Sequence, residues 1–171
     1  MTTFVVFTHP CSDSFASAVL ERVVRGLWAN AADVEVVDLY IEGYQPGSVL
    51  PASHRAALSR ASTLVLVYPT WWSAQPAMLL GWLIAATESG LSSINTLVCV
   101  TTHGGGRLPN RFAGRAGRHF AERVVRSGCA PRARFHWLSC YGLDTSNESQ
   151  RVDYLDRVER AIGSISGREH R

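Results

Sequence analysis

Five short runs of β-branched, aliphatic and aromatic residues, each followed by a stretch with helical periodicity, constrain what this chain can fold into. The runs are Phe4 to Thr8, Val34 to Leu39, Leu64 to Tyr68, Ile94 to Thr102 and Phe135 to Cys140. Most are apolar on both alternating faces, as in strands covered on both sides of a parallel sheet. After the first run, Phe15, Val19, Val23 and Leu27 recur every fourth residue, with Glu21, Arg22 and Arg25 elsewhere on the wheel. Ser12, Asp13 and Ser14 suit the start of that helix as caps. A short helical piece covers Ala56 to Ser59, and Pro76 opens a further helix where its missing N–H does no harm. Another helix is expected near Gly117 to Ser127, and the last carries Val152, Leu155, Val158 and Ile162 on one face. Strict alternation of strand and helix implies right-handed crossovers. The expected fold is therefore α/β: a doubly wound, five-stranded parallel sheet of order 2-1-3-4-5 with helices on both faces. A length of 171 residues suits one domain spanning 1–171.

Hydrophobic residues make up 46% of the chain and charged residues 18%, enough for a packed core and too apolar for a disordered polymer. The net charge is +3, and eight arginines lie close together: Arg107, Arg111, Arg115, Arg118, Arg123, Arg126, Arg132 and Arg134. No aromatic residues interleave with them as base stacking requires, so they read as a solvated helix face with its loops, and no nucleic-acid partner is expected. Cys11, Cys99, Cys129 and Cys140 form no C-x-x-C pair, and Cys99 and Cys140 sit in strand-like runs. Free thiols in a reducing compartment are expected, with no disulfide frame and no metal site. Met1 to Thr8 lacks the basic start of a signal peptide. The longest apolar run, Ala74 to Thr87, falls short of the roughly 20 residues that span a bilayer. The expectation is a cytoplasmic protein without a membrane span.

In an open parallel sheet, ligands bind beyond the carboxyl ends of the strands, where the strand order reverses. Three loops then matter. His9-Pro10-Cys11-Ser12-Asp13-Ser14-Phe15 leads into a helix N-terminus, whose exposed N–H groups and dipole favour an anion. It lacks both G-x-x-x-x-G-K-[ST] and G-x-G-x-x-G, which argues against a nucleoside triphosphate and a standard Rossmann dinucleotide site. Pro69-Thr70-Trp71-Trp72-Ser73-Ala74-Gln75-Pro76 carries adjacent tryptophans that offer a flat wall for an aromatic ring. Thr101-Thr102-His103-Gly104-Gly105-Gly106 lets the backbone approach a ligand closely and aim several N–H groups at it. His-Gly-Gly-Gly also mimics an esterase oxyanion segment, but the required G-x-S-x-G elbow is missing: Gly163-Ser164-Ile165-Ser166-Gly167 has isoleucine at the nucleophile position. A phosphate cradle, an aromatic wall and a ring of backbone donors are what a flavin needs.

Along most of its length the chain resembles the NAD(P)H:quinone oxidoreductase branch of the flavodoxin-like superfamily, which includes DT-diaphorase and the modulator of drug activity B proteins. His9-Pro10 with Ser14-Phe15, Asp38-Leu39-Tyr40 with Gly43-Tyr44 and Pro46, Thr101-Thr102 with Gly104-Gly105, Tyr141-Gly142 and Tyr154-Leu155 carry the resemblance. Its strongest part is Tyr68-Pro69-Thr70-Trp71-Trp72-Ser73-Ala74-Gln75-Pro76-Ala77-Met78-Leu79-Leu80-Gly81-Trp82. Ala16 stands where the family often has an amide side chain, Leu80 where lysine is common, and His103 is inserted in the Thr-Thr-Gly-Gly pattern.

The resemblance implies a flavodoxin-like fold. It implies FMN, with FAD as the alternative, held by His9, Ser14, Phe15, Ala16, Pro69, Thr70, Trp71, Trp72, Ser73, Thr102, His103, Gly104 and Gly105. It implies hydride transfer from NAD(P)H through flavin N5 to a quinone or similar small acceptor, with the cofactor supplying the hard chemistry. His103 is the expected catalytic side chain, protonated to stabilise the reduced ring beside the backbone N–H groups. Arg107 and Arg111 are candidates for a 2′-phosphate contact. The family's habit implies a homodimer, with the apolar helix from Pro76 to Ala86 as interface. The rival readings are a flavin-bearing regulatory subunit and an electron carrier; flavodoxin carriers are usually acidic, and this chain is basic.

Overall fold

A computed structural model describes residues 2–30, 33–71, 74–106 and 116–169. Five strands, β1 (Thr2–Phe7), β2 (Asp33–Asp38), β3 (Thr63–Thr70), β4 (Thr96–His103) and β5 (Arg134–Cys140), form one sheet of order β2-β1-β3-β4-β5. Every pairing is parallel. The helices are α1 (Phe15–Trp28), α2 (Ala52–Arg60), α3 (Ala77–Ser89), α4 (Ala116–Phe120) and α5 (Glu148–Glu169). α4 runs on through a π turn at Ala121–Val125 and a 3₁₀ turn at Arg126–Gly128.

Side chains alternate across a strand, and here each face feeds its own core. Phe4, Val6, Leu64, Leu66, Leu97 and Cys99 point to one side, where Leu58, Leu79, Trp82, Leu83 and Val125 cover them. Val5, Phe7, Val65, Val67, Val98 and Val100 point to the other, against Val19, Val23 and Leu27 of α1 and Tyr154, Val158 and Ile162 of α5. The doubly apolar runs of the sequence are thus strands with no wet face.

Several boundaries differ from the expected ones. β4 begins at Thr96, because Ile94 closes a turn by donating to Leu91 O at 2.9 Å. β3 and β4 continue in register as far as Thr70 and His103. Pro76 stands one residue before α3 in an extended conformation, and its carbonyl accepts from Leu80 N at 2.9 Å. Val152 is 44% exposed, since the buried face of α5 begins at Tyr154, whose hydroxyl donates to Thr101 O at 3.1 Å.

Helices α1 and α5 pack closely because Gly26 has no side chain: a Cβ there would lie 2.6 Å from Glu159 O. Gly26→Val forces these backbones apart, with an expected cost of at least about 2 kcal/mol. Urea unfolding reads it directly, and an unchanged midpoint would refute the close approach.

Candidate functional site

Three loops meet at the carboxyl ends of the central strands. The first leaves β1. Thr8 N donates to Val67 O at 3.0 Å, holding this loop beside β3. Thr8 is fully buried, and its Oγ1 has no hydrogen-bond partner among the described residues. Ser14 caps α1 by accepting from Ser17 N at 3.2 Å. The amides of Phe15 and Ala16 belong to the first helical turn, which has no intrahelical acceptors. Ala16 is 4% exposed, so only its backbone can serve a ligand. Phe15 packs on Tyr154, with ring centroids 6.1 Å apart. His9 stacks on Phe7, and its Nδ1 lies 2.9 Å from Cys11 O and 3.1 Å from Cys11 N, donating to the first or accepting from the second according to tautomer.

The second loop leaves β3. Pro69 and Thr70 are buried in the strand itself. Trp71 and Ala74 exchange backbone hydrogen bonds of 3.1 and 2.9 Å across an antiparallel bridge. Trp71 is 45% exposed, a large indole face left to solvent. Trp72 and Ser73 lie outside the described residues, as do Arg107 and Arg111. Gln75, which sequence reasoning left out of the site, is buried and donates to Gly117 O at 3.0 Å, tying this loop to α4.

The third loop leaves β4. Gly142 N donates to Gly105 O at 2.9 Å, joining it to the loop after β5. A Cβ on Gly104 would meet Asp144 Oδ2 at 2.5 Å, so the exposed Asp144 carboxylate packs directly against this glycine. A Cβ on Gly105 would meet nothing within 4 Å. Gly105 therefore faces open space into which a ligand can come against the backbone.

His103 corrects one expectation. It is the last residue of β4 and 3% exposed, and its ring stacks on Tyr141 at 4.4 Å with planes 18° apart. Its Nε2 lies 3.1 Å from both Thr70 Oγ1 and Thr101 Oγ1. Thr70 spends its own proton on Thr102 O at 2.9 Å, so it must accept from His103, which carries its hydrogen on Nε2. Burial pushes the His103 pKa down to about 4. The ring is neutral at pH 7 and supplies no positive charge; it fastens the ends of β3 and β4 to Tyr141. Nothing local in the sequence signals the partnership with Tyr141 or that between Gly104 and Asp144, because each joins separate strand exits.

These features fit a flavin. The open approach at Gly105 and the exposed Trp71 face suit an isoalloxazine ring, and the start of α1 suits a phosphate. The esterase reading loses its last support, since Gly163 to Gly167 lies inside α5 and not on a strand-to-helix turn. The thiols are free. Burial raises the pKa of Cys99 to about 12 and that of Cys129 to about 11, so both stay protonated at neutral pH. No group of three or more His, Cys, Asp or Glu among the described residues is arranged to hold a metal ion. No described helix is long and apolar enough to cross a membrane.

Comparison with known proteins agrees with this geometry. Residues 1–123 match the Flavodoxin_2 family, described as a flavodoxin-like fold. An uncharacterized NAD(P)H oxidoreductase of Escherichia coli, YcaK, is 26% identical over 105 residues, covering 52% of this chain and 54% of that protein. The chain thus spans about half the length of the curated relatives it matches. Among solved structures, the NAD(P)H:quinone oxidoreductase from Methanothermobacter marburgensis superposes with a TM-score of 0.76 at 25% identity over 96% of both chains. Smu.1420 from Streptococcus mutans superposes with a TM-score of 0.81 at 21% identity, covering 96% of this chain and all of the other. With the strand order, the loop geometry and a match covering more than half its length, the chain belongs to the flavodoxin-like fold family.

Proposed function

We propose that this protein is a flavin-dependent NAD(P)H oxidoreductase that reduces a quinone or similar small acceptor. The observation that carries this reading is the open backbone at Gly105 together with the half-exposed Trp71 indole, on the loops that leave the adjacent strands β4 and β3 at the carboxyl edge of a doubly wound sheet. Likeness to an NAD(P)H:quinone oxidoreductase over nearly the whole chain supports the substrate classes. When bound, FMN (or FAD) would accept hydride from NAD(P)H and pass it to the acceptor.

The chain's own residues bind, orient and shield. His9, Ser14 and the amides of Phe15 and Ala16 hold the phosphate, which the dipole of α1 also favours. Pro69, Thr70 and Trp71 would form the wall for the ring; Trp72 and Ser73, outside the described residues, are candidates from the sequence for the same contact. Thr102, His103, Gly104 and Gly105 form its polar edge, where backbone N–H groups stabilise negative charge. His103 is a positioning residue: its neutral ring fixes the loop that presents those amides. The exposed side of α3, with Ile84 48% exposed beside half-buried Leu80 and Ala85, is the surface for a homodimer. The buried free thiols suit the reducing cytoplasm.

Gly105→Val tests the reading. Its side chain enters open space, so the melting temperature should stay within a few degrees of wild type. Flavin affinity should fall by at least about tenfold, as the branched side chain fills the approach to the backbone. NADPH oxidation with a quinone acceptor should fall with it at limiting flavin. Undiminished flavin affinity would remove Gly105 from the site.

A further inference from the structure

A second cavity, of about 640 Å³, lies at the opposite edge of the sheet. It is walled by the end of the helical stretch that begins with α4 and by the link into β5, including His119, Arg123, Arg126, Pro131 and Arg132. This link belongs to the amino edge: Leu91 bridges Cys129, and Ala130 N donates to Ile94 O at 2.9 Å, both just ahead of β4. Seven residues of β5, about 3.3 Å each, separate the cavity from the carboxyl ends of the strands.

Arg132 is the anomaly. Ala133 N donates to Ala130 O at 2.9 Å, closing a turn with Pro131 at its second position and Arg132 at its third. Arg132 has φ +65°, the left-handed conformation that such a turn normally gives to glycine. No other described residue apart from glycine has positive φ. A branched cation held in an unfavourable backbone conformation at a cavity wall is strain retained at a candidate binding site. Arg123, Arg126 and Arg132 are exposed and make no ion pair among the described residues. Glu122, the one acidic side chain among the described residues of the lining, lies 3.5 Å from Arg118.

We propose that this cavity binds a small anion carrying two linked phosphates. Guanidinium groups form forked, charge-assisted hydrogen bonds to phosphate oxygens, and three of them match the charge of a diphosphate. The volume falls in the range of small-molecule sites, roughly 300–1,000 Å³, and leaves room for an organic portion against Ala130, Pro131 and Ala133. Among the described residues the lining has no Phe, Tyr or Trp side chain on which a nucleic-acid base would stack. The inference does not depend on the flavin reading.

The test titrates inorganic pyrophosphate into the protein saturated with FMN, at low salt, with calorimetry and amide NMR side by side. Saturable binding is expected, with shifts concentrated in residues 119–133 and affinity falling as salt rises. Arg126→Ala and Arg132→Gly should each weaken it by about tenfold or more. Arg132→Gly should also raise the melting temperature, since glycine relieves the left-handed turn; lost binding in a more stable protein cannot come from misfolding. Absence of shifts in 119–133 at millimolar pyrophosphate would overturn the proposal. So would binding that both substitutions leave unchanged.

Discussion

Trp82→Ala is expected to cost about 3–5 kcal/mol of folding stability, a large part of what a domain of this size possesses. Trp82 is fully buried in the core beneath α3, 6.2 Å from the ring of Phe4. Its Nε1 donates to His54 Nδ1 at 3.1 Å, and His54 is itself 3% exposed. Truncation opens a cavity and strips a buried acceptor of its donor, and these two costs add. Trp82→Phe keeps most of the packing and loses only the hydrogen bond, so its cost should be clearly smaller. Urea unfolding of the three proteins measures both contributions. An alanine variant within about 1 kcal/mol of wild type would contradict the anchoring of α3, and with it the fixed position of the loop that α3 follows.

The second large effect is acid sensitivity through His103. Its pKa falls from 6.5 to about 4 on folding because burial disfavours the cation. Below pH 6.5 the unfolded chain therefore takes up a proton that the folded chain refuses. The stabilisation is complete above pH 6.5 and is lost as the pH falls toward 4, at a total of about 3 kcal/mol. His103→Gln has no such group to protonate. Wild type should lose about 2–3 kcal/mol more than the variant between pH 7 and pH 4.5, carboxylates affecting both alike. Parallel stability curves would show that His103 is not buried as a neutral base.

The fold was open to sequence reasoning because buried parallel strands leave a plain trace. Phe4 to Phe7, Leu64 to Tyr68 and Leu97 to Val100 have no polar position on either face, and only a sheet covered on both sides accommodates that. Glycine and tryptophan in the loops after β3 and β4 raised the expectation of a ligand edge, since neither is needed to cap a strand. What escaped were the features decided by distant partners. The state of His103 depends on Thr70, Thr101 and Tyr141, which come from three different stretches of chain. The residues that follow it are glycines, which suggested an open loop and a charged ring, whereas the ring ends a buried strand. Val152 has helical spacing with Leu155 and Val158, yet faces solvent because Tyr154 turns α5 inward toward Thr101. The arginine cluster looked like an ordinary solvated face; only the backbone of Arg132 and the concavity beside it set part of that cluster apart.

The central claim is that the carboxyl edge of the sheet holds a flavin and cycles it. The most direct measurement is an absorption spectrum of the protein incubated with FMN, desalted, and mixed with NADPH under anaerobic conditions before a quinone is added. The account predicts retained yellow colour that bleaches with NADPH and returns with the quinone. Protein that keeps neither FMN nor FAD through desalting would contradict it.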